Sequence, residues 1–154
     1  MKEFVTKTHY PIEILDEDVD DGTMPANVNE LADKVVGHKI VKTEYVKRLR
    51  DRWSIAPKES LQITLDNGTA VILKDNGDCC AFTELQSFLL NPEKVDHIIT
   101  GVGTTNNYET WHIYADFGDV LELQVGWSCG NLGYYGYGFI IDVEQIEDKD
   151  TGAN

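Results

Sequence analysis

The spacing of apolar positions changes several times along this chain, and each change marks an element. Val28, Leu31, Ala32, Val35 and Val36 recur at i, i+3, i+4, i+7 and i+8, which predicts an amphipathic helix over residues 28–36. Asn27 stands at the N-cap position with Glu30 three residues on, and Gly37 follows the last apolar residue. From Ile40 the period falls to two, predicting a strand through Thr43 and Tyr45. Residues 47–58 then interrupt it as a basic excursion. Leu61–Lys74 reads as a hairpin folded about a type I′ Asn67-Gly68 turn. That turn pairs Leu65 with Ala70 and Ile63 with Ile72, so Leu61, Ile63, Leu65, Ala70 and Ile72 share one face.

Further on, residues 83–90 predict a short helix ended by Asn91-Pro92, because proline disfavours helix at the residue before it. Val95–Val102 is rich in β-branched residues and predicts a strand. A second hairpin spans Thr110–Val125. A three-residue Asp116-Phe117-Gly118 loop sets Ile113 opposite Leu121 and Trp111 opposite Leu123, and gathers Trp111, Ile113, Leu121, Leu123 and Val125 on one face. The last strand is Tyr135–Ile146, and Tyr10–Leu15 reads as an extended segment whose proline suits an edge. The fold class expected is α+β, mainly antiparallel sheet curling toward a half-barrel, with one or two short covering helices. Residues 1–25 form an acidic N-terminal extension, 26–146 a single globular domain and 147–154 a flexible tail.

Length and composition fit this outline. The 154 residues suit one domain, large enough to need no disulfide or metal in order to fold. No apolar run approaches about 18 residues, and the N-terminus lacks a signal-peptide core, so no membrane association is expected. An odd set of cysteines, Cys79, Cys80 and Cys129, points to reduced thiols in a cytoplasm. Net charge is −14 and unevenly spread: residues 1–25 and 142–154 together carry −9, whereas residues 34–58 hold eight of the thirteen bases. The acidic run Asp16–Gly22 fails the EF-hand test, since Asp21 stands where glycine is needed and Asn27 where a bidentate glutamate is needed.

Three places invite a chemical reading. Asp78-Cys79-Cys80 pairs a carboxylate with adjacent thiols, but neighbouring residues on an extended backbone point to opposite sides and lack Cys-x₂-Cys spacing, so no metal is assigned. His112 falls opposite Glu122 in the second hairpin, the pairing that orients a general base and also an ordinary cross-strand contact; no Ser or Cys nucleophile is placed beside it. Residues 126–139 mix five glycines with five aromatics, without the motif of a phosphate loop. The candidate binding residues are therefore Trp127, Tyr134, Tyr135, Tyr137, Asp78 and Cys79, with no catalytic residue and no cofactor. A nucleic-acid surface would use Lys47, Arg48, Arg50, Arg52 and Trp53, and the net charge opposes it.

Gly77-Asp78-Cys79-Cys80-Ala81, Glu109–Asp116 and Gly133-Tyr134-Tyr135-Gly136-Tyr137-Gly138-Phe139 together resemble an uncharacterised family of domains of unknown function from small bacteriophage proteins, especially of phages infecting actinobacteria. The resemblance covers roughly residues 36–143, and the acidic extension and the basic excursion depart from it. It implies no activity and no site residues. What it implies is a phage-encoded accessory factor in a host bacterial cytoplasm. The expectation is non-enzymatic, inhibitory binding to a host or phage protein. The alternatives are a DNA mimic that inhibits a nucleic-acid-binding protein, and a small-ligand- or metal-binding enzyme using Asp78-Cys79-Cys80 and His112. Sequence leaves the oligomeric state open.

Overall fold

The computed structural model describes residues 10, 13–16, 19–20, 22–48, 58–77, 81–128 and 138–146. Among them are one helix, α1 (Thr23–Val35), and nine strands: β1 (Ile40–Arg48), β2 (Lys58–Leu65), β3 (Thr69–Lys74), β4 (Asn76–Gly77), β5 (Phe82–Leu90), β6 (Gly101–Thr105), β7 (Thr110–Ala115), β8 (Gly118–Ser128) and β9 (Ile140–Gln145). They build a four-stranded sheet, β1-β2-β3-β9, and a five-stranded sheet, β4-β5-β8-β7-β6, with antiparallel pairing throughout. The five-stranded sheet curls into a half-barrel, and the class is α+β. One apolar core joins α1 (Met24, Val28, Leu31, Val35) to Leu61, Ile63, Val71 and Leu73 of the first sheet and Trp111, Ile113, Leu121 and Leu123 of the second. No helix among the described residues is long and apolar enough to cross a membrane.

The helix begins before the predicted start. Gly22, at φ +99°, turns the chain into it, and the Asp20 carboxylate accepts the Met24 N–H at 3.1 Å. Pro25 is tolerated because it lies in the first turn, where no intrahelical N–H bond is lost. Asn27 is thus not the cap. It is buried inside the helix, where its side chain donates to the Phe139 carbonyl at 3.1 Å and accepts the Phe139 N–H at 2.8 Å. Gly37 follows the helix at φ +92°, as its position suggested.

The first hairpin forms one residue out of the predicted register. Ile63 faces Val71 and Leu61 faces Leu73. Positive φ among described non-glycine residues occurs at Asn106, Asn107 and Tyr108, so Asn67 lacks the backbone of a type I′ turn. Its carboxamide oxygen instead accepts the Thr69 N–H and hydroxyl, and Gly68 alone is left-handed. Val71 and Leu73 therefore join Leu61, Ile63 and Leu65 in the core, while Ala70 and Ile72 are buried on the other face.

The predicted helix over 83–90 is a strand. Its ladder to β8 shifts between Leu85 and Ser87, and this bulge reverses the parity of inward positions. Leu85, Phe88 and Leu90, the positions packed against the core, are consequently spaced by three and then two residues, which breaks the regular alternation of a strand. The strand predicted over 95–102 is replaced by turns through residue 97, closed by Lys94 N–H to Asn91 O and His97 N–H to Lys94 O, and pairing starts only at Gly101. In the second hairpin Ile113 faces Leu121 and Trp111 faces Leu123 as expected, although Ala115 pairs with Gly118, making the loop one residue tighter, with a shift after Ile113. The last strand is the shorter β9; Phe139, before it, is buried, and residues 135–137 fall outside the described residues.

Candidate binding site

The β6–β7 connection carries the non-glycine residues with positive φ found among the described residues. Asn106, Asn107 and Tyr108 are left-handed in succession, with φ of 59°, 56° and 65°. Asparagine tolerates this region, whereas for a residue such as tyrosine it costs about 1–2 kcal/mol. The turn is held by its surroundings: Glu109 N–H closes it on Asn106 O at 3.1 Å, Trp111 Nε1–H donates to Tyr108 O at 3.0 Å, and Trp127 Nε1–H donates to Asn107 O at 2.8 Å. The Tyr108 ring is itself buried and stands edge-on to Trp127. With its carbonyls fixed by two indoles, the turn aims successive N–H groups at one point, the geometry of a backbone anion site.

Glu13 fills that point. One carboxylate oxygen accepts the Tyr108 N–H at 2.9 Å and the Thr104 hydroxyl at 2.8 Å, and the other accepts the Asn107 N–H at 2.8 Å. The Tyr108 hydroxyl donates to the Glu13 backbone carbonyl. Burial, followed by the nearby Asp20 and Glu13, pushes the Tyr108 phenol up to about 12, so it remains a donor at neutral pH. On either side of Glu13 the segment is unequal: Ile14 is 90% exposed, while Leu15 packs against the core.

Three residues ahead, Tyr10 lies over the outer face of the curled sheet. Its ring stacks on the His112 imidazole at 4.0 Å and 7°, and its hydroxyl donates to Asp119 Oδ1 at 2.7 Å. Asp119 Oδ2 meets His112 Nδ1 at 2.7 Å, and Thr105 Oγ1 meets His112 Nε2 at 2.9 Å. If Nδ1 carries the proton toward the carboxylate, Nε2 accepts from Thr105. The connectivity is that of a hydroxyl–imidazole–carboxylate relay, yet His112 is 8% exposed and lies beneath Tyr10. The ring therefore works as a clamp for Tyr10. Burial, then the bond and charge of Asp119, raise the Tyr10 pKa above the ordinary tyrosine range, keeping it a donor.

Tyr10 lies against β6, which is the last of the described strands in its sheet. A Cβ on Gly103 would come within 2.4 Å of the Tyr10 Cβ, and one on Gly101 within 2.4 Å of the Tyr114 hydroxyl. Glycine is needed at both for this approach. A cleft of about 190 Å³ opens beside the segment: Pro25, Val28 and Asn29 of α1 form one wall, Val102–Thr104 of β6 another, and Tyr10, Tyr108 and Tyr114 complete it.

Of the residues singled out from sequence, Trp127 belongs to this site, as the support of the turn. Asp78, Cys79, Cys80, Cys129, Tyr134, Tyr135 and Tyr137 lie outside the described residues, as do Arg50, Arg52 and Trp53. His112 does sit across from Glu122 in the ladder, but its side chain pairs with Asp119, which the hairpin shift brings within reach. Sequence reasoning missed Tyr10, Glu13, Thr104, Thr105 and the 106–108 turn. The Asn106-Asn107 doublet, a residue type that tolerates positive φ, is the one signal that pointed to the turn.

Residues 33–141 match DUF7448, a domain of unknown function, and the chain belongs to that family. The match starts within α1 and ends in β9, so it includes the turn and the cleft strand β6 but leaves out Tyr10 and Glu13. No curated protein and no solved structure matches the chain.

Proposed function

We propose that this DUF7448 domain is a bacteriophage-type accessory protein that acts in the bacterial cytoplasm without catalysis, as an inhibitor, by holding an extended segment of a host or phage protein in the cleft between α1 and β6. The observation that carries the reading is the cleft, which lies against a sheet edge. Among the described strands β6 pairs with β7 alone, and an edge strand beside a helix is a place where an extended peptide can add to a sheet. Gly101 and Gly103 leave room for side chains to lie flat against β6, as Tyr114 and Tyr10 do, and Tyr108 and Tyr114 offer large, partly polar contact area. The phage setting and the cytoplasm come from the resemblance of the sequence motifs. The acidic surface then acts on encounter rate and choice of partner more than on affinity.

Selection from a random library of peptides of at least strand length, about 5–6 residues, tests this. Selected peptides should shift the backbone amides of Gly101–Thr104 and Asn29 in NMR titrations. Asn29→Trp, which fills the cleft from an exposed position, should weaken them about tenfold, or 1.4 kcal/mol. Peptides that move only the Phe117 hairpin tip, or a library that yields none, would contradict the reading.

A further inference from the structure

The 106–108 turn already holds an anion, and the chain supplies it. The geometry points to a carboxylate receptor: the Asn107 and Tyr108 N–H groups and the Thr104 hydroxyl recognise an acidic side chain on an extended segment of a partner protein, whose carboxylate replaces that of Glu13. This rests on the cleft reading above and adds what the occupant carries.

The receptor is built before any ligand arrives. Its backbone is left-handed at three non-glycine positions, and its carbonyls are fastened by Trp111 and Trp127 on strands β7 and β8. Strained backbone that the surrounding structure over-determines is characteristic of ligand clamps. Its three donors are two amides and one hydroxyl, all neutral. Such donors read a carboxylate by direction, without a counter-charge, which lets a chain of net charge −14 accept an acidic side chain at short range while longer-range repulsion is screened by salt. They also reject the corresponding amide, whose NH₂ would face a donor.

The resident segment supplies the pattern. Tyr10 stacks on His112 and bonds Asp119, and Glu13, three residues later, enters the turn. An incoming segment fits the same two places with an aromatic hydroxyl followed three residues on by an acid. Glu13 and Tyr10 therefore hold the site closed, competing as an intramolecular ligand at an effective concentration on the order of millimolar.

The test uses the full chain carrying Glu13→Ala and the synthetic peptide corresponding to Tyr10–Leu15, with a second peptide in which its glutamate is glutamine. The first peptide should shift the Asn107 and Tyr108 amides of the variant and bind it at least about tenfold more tightly than it binds the wild type, and at least about tenfold more tightly than the glutamine peptide binds the variant. Equal binding of both peptides would overturn the carboxylate inference and leave the cleft reading standing. Equal binding to wild type and variant would overturn the closure by Glu13. Binding to neither protein, with library-selected peptides also failing at β6, would sink both. If Glu13→Ala does not fold, Glu13→Gln carries the same comparison.

Discussion

Truncating Trp111 to alanine is expected to destabilise the protein by about 3–5 kcal/mol, the range for a buried tryptophan, and to lower Tm by on the order of 10 °C. The indole is fully buried, packs edge-on to Phe139 at 5.3 Å, and closes the β6–β7 turn through its N–H to Tyr108 O. Two effects therefore fall together, lost packing in the core and a freed carbonyl in the strained turn. Trp111→Phe separates them, since it keeps most of the apolar area and removes only the N–H. It should cost less in urea unfolding than the alanine variant while still shifting the Asn107 and Tyr108 amide resonances. A Trp111→Ala loss below about 1 kcal/mol would mean that the core is not organised around this ring.

Asn27→Leu is the second change with a large expected effect, about 2–4 kcal/mol, because it strands two buried backbone groups at once. The Asn27 carboxamide both donates to and accepts from Phe139, whose side chain is buried against Trp111, and Asn76 Nδ2–H donates to the neighbouring Gly138 carbonyl. This clamp joins α1 to the start of β9, residues far apart in sequence. A Cβ on Gly138 would lie 2.5 Å from the Asn27 Cγ, so the fit leaves no room for a larger residue. Chemical denaturation of Asn27→Leu measures the cost, and an unchanged midpoint would show that the helix is held by its apolar stripe alone.

These two residues also show how far the sequence could be read. The face shared by Trp111, Ile113, Leu121, Leu123 and Val125 was legible because a polar face alternates with it, so a slip of one residue would bury Glu122 and Gln124. In the first hairpin Ala70-Val71-Ile72-Leu73 is apolar at every position, and β3 lies between β2 and β9 with both faces buried. Either register satisfies burial there, so alternation could not choose between them. The strand over 82–90 was hidden by its bulge, which interrupts the period of two between Leu85 and Phe88. Asn27 looked like a cap because asparagine usually serves there; its real partner stands 112 residues away. The candidate site was nearly invisible for the same reason. Glu13 meets the turn across more than 90 residues, and Asp119 meets His112 through a shift in the ladder that no local pattern announces.

The central claim is that the Asn106–Tyr108 turn is a preformed receptor for a carboxylate. The most direct measurement is the pair of backbone amide proton shifts of Asn107 and Tyr108 in the wild type and in Glu13→Gln. Bonds to a carboxylate are shorter and stronger than bonds to an amide oxygen. Both resonances should therefore move upfield in the variant, with little change along β2 and β3. Unchanged shifts at Asn107 and Tyr108 in a folded Glu13→Gln protein would contradict the account.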